Sequence, residues 1–326
     1  MERIELQKLL NKYNINNFSS YTEVDSSKLG DYRLNIIIDN RYVLRINHPV
    51  ITEERLSSIS RLCERYRDIG IMTPLIYRND QGRFITEYGK RICYLSDYLD
   101  YPLQSELDSC NETQIQNEVL RSVGVFSAKY SGVDLSPVNS MWSIIDLAPL
   151  DTDVDEHQEN LDTLVDGLKK LGETDLAKKV IMFNEEKRAN IKSVYKDLPR
   201  CVIQGDLNPT NILVKDNHFV GLIDFNLAGT EVNVNHFCNE TNEGFDEDGF
   251  STKTAEALYW EWTDLQNKKL EIILSEYSLN ELEKIIIDDY RSICLISQYP
   301  NVMAYLHFLK IDKEKTVKLI ELILER

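Results

Sequence analysis

Three oxygen-bearing side chains with the spacing needed for chemistry fall in one short stretch, Cys201 to Gly229: Asp206, Asn211 and Asp224. Cys201-Val202-Ile203 is a short apolar run that opens into a polar loop holding Asp206 and Asn208. Asn211 starts a second run, Ile212-Leu213-Val214, which turns at Lys215-Asp216-Asn217-His218; a third, Phe219 to Ile223, ends at Asp224. If Val214 pairs with Phe219 across that turn, Leu213 faces Val220, Asn211 faces Leu222, and Asp224 lies one diagonal step beyond Asn211. Opposed residues of an antiparallel pair are about 5 Å apart and diagonal ones about 7–8 Å. An amide oxygen and a carboxylate at that spacing can share one hard cation. Magnesium takes a few such oxygens and fills its shell from water and phosphate. Asp206, on the loop before Asn211, then stands within reach of a hydroxyl placed in line with a phosphoryl group. Any one of the three alone reads as an ordinary turn residue. Together, between strands and with a β-rich segment upstream, they point to chemistry.

The segments that must position these residues divide into two kinds. Residues 1–98 read as mostly β with one helix. Tyr32 to Ile38 and Tyr42 to Ile46 are β-rich and meet at Asp39-Asn40-Arg41, a hairpin signal. A helix follows, with Thr52 as its N-cap and Leu56, Ile59, Cys63 and Tyr66 at helical spacing. Leu75 to Tyr77 and Arg83 to Thr86 bracket the turn Asn79-Asp80-Gln81-Gly82, and Ile92 to Leu95 forms a last strand ending near Asp97. The period then turns helical. Ile115, Val119, Val123, Phe126 and Tyr130 recur every three or four residues, as do Leu161, Leu164, Val165, Leu168 and Leu171 before the stop signal Gly172. A further helix spans about 175–196 and ends before Pro199. Beyond residue 229 the pattern is helical again, with Ser278 and Glu281 as a capping box and Asp312 as the cap of the last helix.

Composition narrows the partners. The chain of 326 residues has a net charge of −17. That charge is uneven: residues 1–98 hold 15 Lys/Arg and 13 Asp/Glu, whereas residues 99–326 hold 22 and 41. So acidic a surface argues against nucleic acid as a partner. It suits a cationic small molecule, because an acidic cleft concentrates cations, and it equally suits a solvated surface. The run Asn239 to Asp248 is open to the same two readings. No apolar run reaches the roughly 18 residues of a membrane span, and the polar start Met1-Glu2-Arg3-Ile4-Glu5 does not resemble a signal peptide. A cytoplasmic protein with no membrane partner is expected. The six cysteines form no C-x-x-C pair, and the five histidines have no metal-ligand spacing.

Gly205-Asp206-Leu207-x-Pro209-x-Asn211-Ile212-Leu213, followed by Ile223-Asp224-Phe225, resembles the catalytic loop and metal-binding aspartate of kinase-like phosphotransferases. The form is closer to the aminoglycoside, choline and homoserine kinase branch than to protein kinases. Tyr42 to Ile46 is similar to that family's nucleotide-clamping strand, Gly70 to Pro74 to the segment after its first helix, and Tyr94 to Leu99 to the hinge that holds the base. The resemblance implies an α+β, bilobal protein-kinase-like fold: a small β-rich nucleotide-binding lobe over residues 1–98 and a large helical catalytic lobe over 99–326. It implies transfer of the γ-phosphoryl group of magnesium-bound ATP or GTP to a hydroxyl of a small molecule, aminoglycoside- or choline-like. Asp206 would orient or deprotonate the hydroxyl, and Asn211 and Asp224 would hold magnesium. Arg45, where a lysine is commoner, would meet the phosphates, with Lys28 above them on the turn Ser26-Ser27-Lys28-Leu29-Gly30. Tyr94, Leu95 and Ser96 would offer backbone groups to the base. The chain departs from the pattern in several places. Gln204 replaces a histidine, Asn226 replaces the small residue after Asp224-Phe225, and a later acidic position is matched only by Glu231. The helix facing Arg45 carries Ile59-Ser60 where an acid is expected, and there is no G-x-G-x-x-G loop. These departures keep open a second reading, a catalytically impaired nucleotide-binding or regulatory protein.

Overall fold

The computed structural model describes residues 1–28, 32–47, 50–144, 155–245 and 247–326. In chain order the elements begin with α1 (Arg3–Asn11), β1 (Tyr21–Asp25), β2 (Arg33–Ile38), β3 (Tyr42–Asn47), α2 (Glu53–Asp68), β4 (Ile76–Tyr77), β5 (Thr86–Tyr88) and β6 (Arg91–Asp97). Next come α3 (Glu112–Tyr130), α4 (Glu156–Lys170), α5 (Thr174–Val194), β7 (Arg200–Ile203), β8 (Ile212–Lys215), β9 (His218–Leu222) and β10 (Gly229–Val232). The rest is helical: α6 (Asn233–Thr241), α7 (Glu247–Thr252), α8 (Ala255–Leu274), α9 (Glu281–Ser297), α10 (Tyr299–Ile311) and α11 (Lys313–Leu324). The α+β class expected from the sequence is the one observed, an antiparallel sheet with few helices followed by a mainly helical remainder.

The chain packs as two compact units. The first is Met1–Glu112 with Asp206–Asn226, and the second is Thr113–Gly205 with Leu227–Arg326. A boundary at residue 98 therefore differs from the packing in two ways. The first unit runs on to Glu112, and it takes in the β8–β9 hairpin. The reason is local. Met72 bridges in parallel to Gly221, Leu103 pairs with Leu213, and the Val214 amide donates to the Pro102 carbonyl at 3.0 Å. A hairpin pinned on both edges by residues 72 and 102–103 packs with them.

In the first unit the strands lie in the order β1-β2-β3-β6-β4, with β5 also on β6. The β2–β3 turn, residues 39–41, is tight because Asp39 and Asn40 both take positive φ (50° and 49°) and the Arg41 amide donates to the Ile38 carbonyl at 2.9 Å. Asp216 and Asn217 (52° and 63°) repeat the positive-φ pair between β8 and β9. Alternation along β2 and β3 sends Leu34, Ile36, Ile38, Leu44 and Ile46 to one face, where α1 covers them with Leu6, Leu9 and Leu10. Each such fully buried side chain contributes about 1.5–3 kcal/mol. This helix is a correction to the single-helix reading of residues 1–98. It is short and lacks a side-chain cap, so its sequence signal is weak. Thr52 caps α2 as expected, accepting from the Arg55 amide at 3.1 Å. The expected strand at Arg83 to Thr86 forms later, as β5, because the Phe84 and Ile85 amides donate to the Glu53 carboxylate (2.8 and 3.0 Å) instead of to a ladder.

In the second unit, α4, α5, α8, α10 and α11 enclose an apolar core that includes Leu164, Leu168, Val180, Tyr305, Leu319 and Ile323. β7 pairs antiparallel with β10. The cap of α9 is Asn280 with Glu283, two residues later than the expected Ser278 with Glu281. Asp312 caps α11 as expected. Among the described residues no helix is long and apolar enough to cross a membrane.

Candidate active site

The β8–β9 hairpin brings Asp206, Asn211 and Asp224 together in the first unit. Its register differs from a regular ladder. Val214 pairs with Phe219, but a bulge between Leu213 and Val214 sets Leu213 against Gly221 and Ile212 against Leu222. Val220 is the extra residue, and its carbonyl accepts from the Met72 amide at 2.9 Å. The slip draws Asn211 up to Ile223, whose amide donates to the Asn211 carbonyl at 3.0 Å. Asp224 is therefore the residue after Asn211's backbone partner, nearer than the diagonal placement. Gly221 is required at the bulge, since a Cβ there would stand 2.6 Å from the Met72 carbonyl oxygen.

The loop before β8 orients the carboxylate of Asp206. Asn211 is buried, and its Nδ2 donates to Asp206 twice, to the backbone oxygen at 3.0 Å and to Oδ2 at 2.8 Å. Nδ2 of Asn208 donates to Oδ1 of the same carboxylate, while its own Oδ1 accepts from the Thr210 amide at 2.9 Å. Two amides thus aim one half-buried carboxylate, and Asn211 keeps its Oδ1 for another partner. The preceding Gly205 sits at φ 85°, and a Cβ there would meet the Leu227 carbonyl at 2.5 Å, so this position needs glycine.

Asp224 takes φ 52° and turns its carboxylate into a cavity of about 250 Å³ lined by Arg45, Arg33, Arg55, Tyr94 and Asn226 among others. A narrower recess of about 40 Å³ adjoins it, lined by Ile59, Cys63, Ile76, Ser96 and Phe225. Phe225 anchors the turn by packing edge-on against Tyr66 of α2 at 5.8 Å. Arg55 Nη2 donates to the Asn226 carbonyl at 2.8 Å, and burial lowers the pKa of its guanidinium. Arg45 reaches the cavity because it alternates with Leu44 and Ile46 on β3, on the face opposite α1. Tyr94, its cross-strand partner, has its phenol pKa raised by burial.

The segment expected to meet the base lies on β6. Tyr94 and Ser96 turn their side chains to the cavities, while Leu95 points into the α1 core. Here β6 pairs with β3 along one edge; along the other, β5 pairs with Arg91, Ile92 and Cys93 and β4 with Leu95 and Ser96, while Tyr94 has no strand partner on that edge among the described residues. Lys28 is exposed at the end of a described segment, and Leu29 and Gly30 of the same turn lie outside the described residues. The α2 residues lining Arg45's cavity are Arg55 and Ile59, in keeping with the missing acid. Arg33 and Arg55 were not singled out from the sequence. Arg33 shared the alternation signal of β2, whereas Arg55 had none beyond its place in the first turn of α2.

The remaining departures fall in the second unit. Gln204 is fully buried. Glu231 is also buried. Its carboxylate accepts from the Ser140 and Ser143 hydroxyls (2.5 and 2.7 Å) and the Val232 amide (2.7 Å), and burial raises its pKa. It ties residues 140–143 to β10. In the acidic run, Asn239 is buried and Glu243 pairs with Lys269, whose own pKa burial lowers to about 8. Glu247 and Asp248 are exposed in α7, and Asp246 lies outside the described residues.

The sequence profile described as the phosphotransferase enzyme family matches residues 28–231. The chain belongs to that family. The loop that holds Asp206 and the β8–β9 hairpin fall inside the match, and the small-molecule kinase class expected from the sequence follows from membership. No curated protein matches the chain by sequence. Among solved structures, an amicoumacin kinase in complex with AMP-PNP, Ca2+ and Ami shares the fold at a TM-score of 0.53 and 11% identity, over 100% of this chain and 94% of that one. An ADP-bound aminoglycoside phosphotransferase is similar at 0.46 and 14%, over 99% and 97%. An aminoglycoside phosphotransferase in a ternary complex with streptomycin and ATP is similar at 0.49 and 13%, over 98% and 96%.

Proposed function

We propose that this phosphotransferase moves the γ-phosphoryl group of ATP or GTP to a hydroxyl of a small cationic molecule. The observation that carries the reading is the hairpin itself, in which Asn211 donates to Asp206 while Asp224 lines the cavity shared with Arg45. Asp206 is the residue that accepts the hydroxyl proton or its hydrogen bond. Asn208 and Asn211 hold that carboxylate in one orientation, so little reorganisation remains when the acceptor arrives.

The donor set fits magnesium. Asn211 spends its amide nitrogen on Asp206, which leaves a hard oxygen, and Asp224 supplies a carboxylate. One or two protein oxygens plus phosphate is the usual arrangement for this ion, and it does not need a cluster of three acids. Bound there, magnesium would supply charge neutralisation for the phosphates. Arg45 meets the phosphates from β3. The base is met by the segment Tyr94, Leu95 and Ser96, of which Tyr94 and Ser96 line the recess beside the cavity. Residues 99–326, with 22 basic and 41 acidic side chains, favour a cationic acceptor such as an amino sugar or a quaternary amino alcohol.

Ile59 in place of an acid beside Arg45 favours the second reading, a nucleotide-binding protein impaired in catalysis. One titration separates the readings from a scaffold with no site. Thermal melting is followed with ATP and with GTP, with and without magnesium, for wild type and Asp224→Ala. A magnesium-dependent rise that the variant lacks supports the site, and a nucleotide at 100 times its Kd should stabilise by about 2.7 kcal/mol. No rise with either nucleotide would overturn both readings.

A further inference from the structure

Arg33, Arg45 and Arg55 line the cavity of the first unit opposite one carboxylate, Asp224. Arg55 is the least expected of them. It is the third residue of α2, in the first turn, where the helix dipole disfavours a cation. Burial also works against its charge. Its bond to the Asn226 carbonyl uses one of five N–H donors. Arg45 makes no hydrogen bond or ion pair among the described residues, and the α2 side chain beside it in the lining is Ile59. Strand β3 and helix α2 therefore each present a guanidinium to the same cavity, and among the described lining residues Asp224 is the one acid set against Arg33, Arg45 and Arg55.

We propose that Arg55 is a second phosphate-binding residue, and that the polyphosphate of the nucleotide joins Arg45 on β3 to Arg55 on α2. The inference rests on the nucleotide reading of this site. A guanidinium fork matches phosphate oxygens in pairs, so two forks on opposite walls fit a chain of phosphates better than a single monoester. The ligand then takes the place of an internal ion pair in coupling the helix to the strand. Part of the affinity is independent of metal and falls as salt rises.

Calorimetric titration in EDTA tests this, with ATP, GTP and inorganic tripolyphosphate as probes on wild type, Arg55→Ala and Arg55→Gln. The glutamine keeps a donor for the Asn226 carbonyl and drops the charge. Both variants should bind tripolyphosphate and the better nucleotide about ten- to a hundredfold more weakly than wild type, the span of one charge-assisted contact. Wild-type affinity in Arg55→Gln would overturn the proposal and leave Arg55 a tether for Asn226. Wild-type affinity in both variants would overturn it outright. Wild-type protein that bound tripolyphosphate through Arg55 but no nucleotide would sink the nucleotide reading and leave the phosphate assignment standing. Binding of neither would sink both.

Discussion

Replacing Asn211 with aspartate exchanges one amide nitrogen for an oxygen and tests how the carboxylate proposed to orient the acceptor, Asp206, is held. In the native protein Nδ2 of Asn211 donates to Oδ2 of Asp206 at 2.8 Å. In Asn211→Asp two carboxylates meet there. Relaxed to a separation of about 4 Å, two like charges repel by about 1–4 kcal/mol across the effective dielectric range of a half-exposed site, equivalent to roughly one to three pKa units. The pair therefore holds one proton to a higher pH than either acid does in the unfolded chain. The sign follows from linkage. A folded-state pKa raised above the unfolded one favours folding while the proton is bound, and that contribution is lost as pH rises through the raised value. The stability gap between wild type and Asn211→Asp should thus widen from pH 5 to pH 8 by about 1–4 kcal/mol. Urea denaturation at the two pH values measures it. Magnesium-dependent nucleotide binding should survive, because the oxygen is kept, while turnover falls about a hundredfold or more with the loss of an oriented acceptor. A gap of equal size at both pH values would refute the argument that Asn211 orients Asp206.

Gly221→Ala should lower stability by about 1–3 kcal/mol, because its Cβ would press on the Met72 carbonyl at 2.6 Å. Thermal melting checks this, and an unshifted melting point would contradict the docking of the hairpin on residues 71–73. Glu231→Gln should flatten the pH dependence of stability. The native carboxyl has a raised pKa from burial, so its contribution is present at low pH and fades as pH rises above the ordinary carboxylate range. Urea midpoints measured from pH 4.5 to 8 should fall more steeply for wild type than for the variant.

The residues legible in the sequence are those whose partners lie nearby in it. Asp206, Asn211 and Asp224 share one hairpin, so strand pairing alone brings them close. Thr52 follows from capping chemistry, whereas Arg45 is marked only by the resemblance of Tyr42 to Ile46 to a nucleotide-clamping strand. What escaped depends on distant partners. The bulge at Val220 exists because Met72, far away in the chain, donates to the Val220 carbonyl and accepts from the Leu222 amide. β5 starts late because the Glu53 carboxylate captures two amides. Tyr94 to Ser96 could be placed on a strand, but that β6 is paired along both edges depends on β3, β4 and β5 together. Arg55 escaped for the same reason, since only the fold sets the first turn of α2 against Asn226.

The most direct test of the phosphotransferase assignment is transfer of label from γ-labelled ATP or GTP to a panel of cationic alcohols by wild type and by Asp206→Ala. The account predicts magnesium-dependent labelling of at least one alcohol by wild type. It also predicts a variant that binds nucleotide as wild type does and transfers at least a hundredfold more slowly, on the order of the loss of general-base assistance. A variant that transferred label at close to the wild-type rate would contradict it.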